Sequence, residues 1–598
     1  NPKPQTPNPK PQTPNPFSTI TFMLGFNPHG FSTGYYIVHL ISRFTVFIFF
    51  RKVDLIKPEN IPMQGGLILS GTHNNQFVDA IMLMAFFPRE VFFLVAAVST
   101  KNKWLNFFLR IVNFIPTRRP QDEIIKGQGV ISSLDGTTLR GVDTDFTKSL
   151  GEKYTVTVSS LKKSFVVTRV MDNNTAIVEN PENVKIQDSR EAFTILPKLD
   201  QKEVFDKAWQ LLKEGKVVGI FPEGGSHDQT GILPIKAGVA IIYMGAVEKY
   251  NADVQVIACG INYDNPHKFR SSAVIEFGVP YSMPDEKVKM YQTDKKKEVI
   301  SDFLDILTRR LLDVKITAAN HEELMLIYLA RDLYLSDEGK IDKETQVKVI
   351  RSFKENYERG QEQPDMEDLK NDLRQYNLDL KYCGVKDWEL KTLDTSTCHN
   401  ILLLIKSAVF VLSAFTIAIP GFLYISPIRL YLMWFAEKKR KEALKKSSVK
   451  IKGYDVVASW KILIGVFLTP AVISVTSWIF FFLFSKRYAS TLFGRLFSAL
   501  IFCILLSLYL VFCVQLLNGI KTHMRICVVR AWVILYRNRI KKIRADRKIL
   551  KKKVKDIMDK YSELNDLKVY KRKSVVLESS KADWDNEQIF GALADIIG

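Results

Sequence analysis

Leu67-Ile68-Leu69-Ser70-Gly71-Thr72-His73-Asn74-Asn75-Gln76-Phe77-Val78-Asp79 and Val217-Val218-Gly219-Ile220-Phe221-Pro222-Glu223-Gly224-Gly225-Ser226-His227-Asp228 decide how this chain reads. Each joins a short apolar run, of the kind that fills a buried strand, to a loop rich in polar and glycine residues. On one continuous helix the six-position spacing of His73 and Asp79 would put their side chains on different faces. They meet only if His73 stands in a loop ahead of a helix whose first turns carry Asp79. A carboxylate on one imidazole nitrogen then fixes the tautomer, and the other nitrogen can take the proton of an attacking hydroxyl without a serine or cysteine nucleophile. The plain alternative for this pair alone is a helix-capping histidine beside an unrelated surface aspartate. The second stretch suits a strand-to-helix turn whose backbone N–H groups and glycines approach an anionic group closely.

Two further blocks accompany these: Phe114-Ile115-Pro116-Thr117-Arg118-Arg119-Pro120-Gln121-Asp122, and Cys259-Gly260-Ile261-Asn262-Tyr263-Asp264-Asn265-Pro266-His267-Lys268-Phe269-Arg270-Ser271. Between them, the Glu223 block continues into Leu233-Pro234-Ile235-Lys236-Ala237-Gly238. In this order the blocks resemble the glycerolipid acyltransferase superfamily, specifically its fungal-type glycerol-3-phosphate/dihydroxyacetone-phosphate acyltransferases. The superfamily's usual block is His-x4-Asp; here five residues intervene, in the form His-x-Asn-Gln-Phe-x-Asp that the resemblance assigns to the fungal branch. The resemblance implies His73 as the catalytic base, Asp79 as its orienter and Arg119 of the Ile-Pro-x-x-Arg pattern as the substrate-binding arginine, with Arg118 as the alternative. Lys236 and Arg270 are phosphate candidates by residue type and block position, because arginine offers a planar fork and lysine a point charge; CoA phosphates or surface carboxylates are their other options. Glu223 is expected to position cationic side chains or a substrate hydroxyl, and Gly224 to allow close approach. His227 and His267 read as structural.

The expected fold is an α/β acyltransferase core, a mixed sheet flanked by helices, carrying a small inserted β module, a helical extension and a C-terminal α-helical transmembrane bundle. The core spans 33–310. Within it, residues 129–197 alternate in runs such as Tyr154-Thr155-Val156-Thr157-Val158, punctuated by Gly, Asn and Asp, which predicts antiparallel β structure. This insertion accounts for the long separation of His73 and Glu223, and the fungal-type enzymes have a similar one. A charged, helix-patterned extension covers 311–398. A proline-rich leader, with Asn-Pro-Lys-Pro-Gln-Thr-Pro in tandem, covers 1–32.

Of the 598 residues 46% are hydrophobic, and they segregate sharply. Residues 399–520 read as a membrane region of two hairpins, 401–435 and 462–518, since about 20 apolar helical residues cross a hydrocarbon core. Residues 436–461 hold nine Lys/Arg against three acidic residues, and 521–555 fourteen against one. Basic flanks stay cytoplasmic, so the first pair is expected to turn near Pro420-Gly421 and the basic tail, 521–598, to return to the cytosol; three crossings with a lumenal tail are the alternative. Residues 35–50, apolar but short, suit an interface-lying helix. Residues 104–111, Trp-Leu-Asn-Phe-Phe-Leu-Arg-Ile, read equally as an acyl-chain contact or a core helix.

The formal charge of +21 sits beside apolar segments and outside any nucleic-acid module, so anionic headgroups are the expected partner and nucleic acid is not. The six cysteines show no paired metal spacing, and no metal or cofactor is expected; acyl-CoA is a co-substrate. The resemblance implies a glycerol-3-phosphate 1-O-acyltransferase, with dihydroxyacetone phosphate as a further acceptor, in the endoplasmic reticulum membrane with its catalytic domain facing the cytosol. A lysophospholipid acyltransferase is the near alternative and a non-catalytic membrane scaffold the distant one. Acyl-chain preference and oligomeric state are not written in the sequence.

Overall fold

The computed structural model describes residues 31–98, 111, 114–119 and 122–561, except 162, 188–189, 199–200, 317–320, 337–342, 360–362, 393–396, 448, 485–486 and 488–489. The proline-rich leader, nearly all of 104–111 and the end of the basic tail lie outside the described residues. Residues 1–317 with 419–515 form one compact unit; 318–418 with 516–598 form another.

The first unit is built on a seven-stranded sheet ordered β1-β14-β13-β2-β12-β3-β4. Its strands are β1 (Phe50–Ile56), β2 (Gly66–Gly71), β3 (Val91–Ala96), β4 (Ile115–Thr117), β12 (Val217–Ile220), β13 (Val254–Tyr263) and β14 (Ser271–Phe277). All neighbours are parallel except β13 with β14. Every residue of β2 is buried, as a central parallel strand covered on both faces requires. The pleat sends Leu67 and Leu69 to one core and Ile68 to the other. The Leu67 side is covered by α1 (Thr33–Phe49) and α2 (Gln76–Phe86), and the Ile68 side by α3 (Lys202–Lys213), α4 (Gly238–Tyr250) and α5 (Lys296–Val314). Ala458 and Ile462, from the start of an apolar helix far along the chain, complete the Leu67 side. The outer face of α1 exposes Tyr36, Ile37, Leu40, Ile41, Phe44 and Phe47.

The insertion is a second, wholly antiparallel sheet of seven strands: β5 (Ile125–Lys126), β6 (Val130–Asp135), β7 (Thr138–Val142), β8 (Thr155–Val158), β9 (Lys163–Val170), β10 (Thr175–Glu179) and β11 (Phe193–Leu196). It has its own core of Ile131, Leu139, Phe146, Val156, Val167, Val178 and Phe193. Pairing begins at Ile125, four residues ahead of the expected limit, because β5 pairs with β11 to close the module's base.

In the second unit α6 (His321–Tyr334), α7 (Lys343–Arg359) and α8 (Pro364–Tyr382) pack with α12 (Arg537–Tyr561). Ile540, Ile543, Leu550, Val554 and Ile557 of α12 are buried. Arg547 makes a buried two-pronged pair with Asp387, both bonds 2.8 Å. The basic tail is therefore not a free segment over 537–561: an apolar stripe at three- and four-residue spacing underlies its charges. The expected domain boundary at 310/311 also moves. Helix α5 runs through Leu311 to Val314, both buried in the α/β core.

Among the described residues, three helices are long and apolar enough to cross a membrane: α9 (Thr397–Lys446), α10 (Val457–Leu483) and α11 (Leu492–Leu535). The pair α10 and α11 follows the expected second hairpin. The expected turn at Pro420-Gly421 is absent, since α9 continues through Pro420 and Pro427. Proline removes one helical hydrogen bond and crowds the preceding turn, but a neighbouring helix can satisfy what it loosens. Here the Gly421 N–H donates to the Tyr509 hydroxyl at 3.2 Å.

Candidate active site

The site forms where β2, β12, β4 and β13 end. β2 and β12 are parallel, with Ser70 opposite Ile220, so the loops that follow carry His73 and Glu223 to corresponding places. The His73 N–H donates to Glu223 Oε1 at 3.0 Å. His73 stands in the loop before α2 and Asp79 in the first turn of α2, the arrangement their spacing demands. Nδ1 of His73 lies 3.0 Å from Asp79 Oδ2. Asp79 is fully buried, and its carboxylate also accepts from the Asn75 N–H at 2.7 Å and the Tyr263 hydroxyl at 2.6 Å. A carboxylate with those donors needs Nδ1 to carry a proton, which leaves Nε2 with its lone pair. Nε2 makes no hydrogen bond among the described residues, and the ring is stacked on Phe221 with centroids 4.3 Å apart. The Tyr263 phenol is pushed well above its ordinary value, first by burial and then by the charge of Asp79, so it stays a donor.

Glu223 serves as the hub of the second block. Beyond the His73 N–H it meets His227 Nε2 at 2.5 Å and accepts the Leu233 N–H at 2.9 Å. His227 Nδ1 accepts from the Gln229 N–H, so Nε2 is the donor to Glu223. Burial opposes the charge of Glu223, but the bond from His227, the nearby Lys315 ammonium and the Leu233 N–H together hold its carboxyl down at about 2. Gly224 follows with φ of 73°, and a Cβ there would lie 2.6 Å from Lys236 Cε, so the lysine passes directly over a glycine.

Arg119, just beyond β4, donates to the Gly224 carbonyl at 3.2 Å and is forked onto Asp122 at 2.7 and 3.0 Å. Arg118 is exposed, and its carbonyl accepts from Gln201. The fold thus gathers His73, Asp79, Arg119, Glu223, Gly224 and Lys236. The Arg270 guanidinium donates to the carbonyls of Phe47, Ile48 and Phe50, capping the end of α1, and to Gln515. The unsatisfied carbonyls of a helix C-terminus explain that pull on a cation. His267 stacks on Tyr454 with centroids 4.2 Å apart.

Sequence reasoning did not single out Tyr263 or Lys315, nor the part played by the loop between α9 and α10. Asp228 accepts the N–H groups of Ile451, Lys452 and Tyr454 at 2.8, 2.7 and 3.3 Å. Ser226 donates to Asp455 at 2.6 Å; Lys450 pairs with Asp455 and donates to the Ser226 carbonyl at 2.7 Å; Ser459 donates to the Asn75 carbonyl at 2.9 Å. The His73 and Glu223 blocks are therefore both tied to the segment that joins two apolar helices. The signal available in sequence was composition: Asp228 and Ser226 lie in the motif, but nothing local names their partners.

The geometry agrees with the relatives of the chain. An acyltransferase family model matches residues 52–142 and 160–262, and the model of the glycerol-3-phosphate acyltransferase 2 C-terminal domain matches 326–563. Glycerol-3-phosphate O-acyltransferase 1 of Saccharomyces cerevisiae is 32% identical over 441 residues, covering 71% of this chain and 58% of that protein. The chain is similar to the glycerol-3-phosphate acyltransferases. The second Saccharomyces cerevisiae member, glycerol-3-phosphate O-acyltransferase 2, is 30% identical over 488 residues, covering 74% of this chain and 64% of that protein. An uncharacterized acyltransferase of Schizosaccharomyces pombe is 33% identical over 442 residues, covering 71% of this chain and 65% of that protein. The chain spans less than two thirds of the length of each of these three proteins. The first family match breaks off inside the β module, which is where an inserted segment would interrupt it.

Proposed function

We propose that this protein is an acyl-CoA-dependent sn-glycerol-3-phosphate 1-O-acyltransferase, with dihydroxyacetone phosphate as a further acceptor. The observation that carries the reading is the His73–Asp79 pair: Nδ1 is engaged by a fully buried carboxylate and Nε2 is left free among the described residues. Nε2 takes the proton of the acceptor hydroxyl as its oxygen attacks the thioester carbonyl. Asp79 stabilises the imidazolium that forms. When the tetrahedral intermediate collapses, the C–S bond breaks and the CoA thiolate recovers the proton from His73. Lys236 over Gly224, with Arg119 beside it, is the cationic pair for the acceptor's phosphate; Asp122 fixes the guanidinium of Arg119 and offsets part of its charge.

The membrane setting belongs to the same proposal. In the second unit α6, α7 and α8 pack with α12, so the start of α9 and the end of α11 lie on one face of the bilayer and the crossings between them are even in number. Of the three apolar helices, two cross. The basic 436–461 segment docks on the catalytic turn through Lys450 and Asp455, which keeps it with the site on the cytosolic face of the endoplasmic reticulum membrane.

The test is CoA release from palmitoyl-CoA by detergent-purified protein offered glycerol 3-phosphate, dihydroxyacetone phosphate or lysophosphatidic acid. Release with glycerol 3-phosphate, falling about 10²- to 10⁴-fold in folded His73→Ala protein, is expected. Release with lysophosphatidic acid alone would move the assignment to lysophospholipid acylation, and none with any acceptor would leave a scaffold.

A further inference from the structure

Lys315 is a buried ammonium that the acyl-transfer scheme does not use. It follows directly on α5, and the chain there is laced to β13: Asn262 donates to the Val314 carbonyl at 3.0 Å and accepts the Ile316 N–H at 3.1 Å. Gly260 makes the approach feasible, since a Cβ at that position would lie 2.1 Å from the Val314 oxygen. So held, Lys315 reaches inward and donates to the Gly231 carbonyl at 2.5 Å. Two residues further on, the Leu233 N–H donates to Glu223 Oε2. Lys315 and Glu223 thus hold the same short 231–233 segment, at the Gly231 carbonyl and the Leu233 N–H, while the other carboxylate oxygen of Glu223 accepts the His73 N–H. The charged and titratable groups around this point are His73 and Asp79 from the β2–α2 loop and α2, Glu223 and His227 from the turn after β12, Cys259 and Tyr263 from β13, and Lys236 over Gly224. Burial pulls the Lys315 ammonium below its ordinary value, and the charges of Glu223 and Asp79 act the other way.

Two buried carboxylates converge on His73, one on its ring and one on its backbone. Together they place negative charge beside the base, which a buried cation offsets. We propose that Lys315 is a positioning residue of the acyl-transfer site, its buried positive charge offsetting Asp79 and Glu223 so that His73 is in its basic form at neutral pH. This rests on the acyl-transfer reading of His73.

The test compares wild type with Lys315→Met, Lys315→Gln and Lys315→Arg as full-length purified protein across pH, using whichever acceptor the wild type acylates. With the positive charge removed, the midpoint of the acid limb of kcat is expected to move up by about one pH unit, and Lys315→Arg to restore it. A parallel readout needs no turnover: the pH midpoint of His73 modification by diethyl pyrocarbonate, followed by peptide mass spectrometry, should move the same way. Unshifted midpoints in the neutral variants, whatever the loss of activity, would make Lys315 a structural residue only and overturn the proposal. If the wild type acylates nothing, the functional reading fails, and the modification profile still decides the role of Lys315. Should one neutral variant not fold, the other carries the comparison.

Discussion

His73, Asp79 and Tyr263 form a short relay whose members act through one buried carboxylate. Removing the Tyr263 hydroxyl leaves Asp79 Oδ1 without its 2.6 Å donor. Tyr263→Phe should lower kcat for the proposed reaction roughly tenfold and cost about 1–3 kcal/mol of stability, since a bond to a charged group is lost; steady-state kinetics beside a thermal melt would check both. Glu223 makes a pH-dependent contribution. Its carboxyl is held at about 2 against an ordinary 4.5, so its stabilisation is fully present above about pH 4.5 and is lost as the pH falls toward 2. At neutral pH this is on the order of 3 kcal/mol. Glu223→Gln should therefore melt lower than wild type at pH 7, with the gap narrowing as melts are repeated at decreasing pH from about 4.5. Of these residues, the paired blocks announced His73, Asp79 and Glu223. Tyr263 stood in view inside the Cys259 to Ser271 block, but only the parallel pairing of β13 with β2 turns its hydroxyl toward Asp79.

At the scale of elements, the α9–α10 loop and the β module make opposite predictions. The loop holds the catalytic turn through Asp228 and Asp455, the latter fully buried and paired with Lys450. Asp228→Ala frees three backbone N–H groups and should reduce activity at least tenfold while the far-ultraviolet circular dichroism stays unchanged; an unaltered kcat/KM would show that the loop does not position the turn. The β module has its own core and closes at its base, where Thr194 pairs with Lys126. Excising 127–193 and joining the ends with a short Gly-Ser link should leave an expressed protein with CoA release within a few-fold of the parent. Period-two patterning made the module legible in advance, because alternation is a local property. The loop's docking was not legible, since Ser226 and Asp455 are 229 positions apart.

For the whole molecule, the governing quantity is the number of membrane crossings. In the proposed membrane setting, the packing of α12 with α6, α7 and α8 would put the two ends of the 397–535 stretch on one face. Single cysteines at Lys381 and Lys552, one on each side of that stretch, should react with a membrane-impermeant maleimide from the same side of sealed microsomes. Reaction from opposite sides would reinstate three crossings. The sequence placed the apolar helices correctly but broke α9 at Pro420, because proline's local cost is readable and the Tyr509 hydroxyl that receives the Gly421 N–H is not.

The sequence by itself determined the acyltransferase blocks, the buried strands behind them, the antiparallel insertion and three helices apolar enough for a bilayer. The blocks rest on a resemblance in local residue order and the others on composition or period within a few residues, and such patterns survive without knowledge of neighbours. Only the tertiary structure decided that Arg270 caps α1, that Lys315 comes inward from beyond α5, and that Ser459 grips the Asn75 carbonyl across 384 positions. Those assignments depend on which unsatisfied carbonyl, carboxylate or N–H the folded chain brings within 3 Å, and buried polar groups take the partner that the packing supplies.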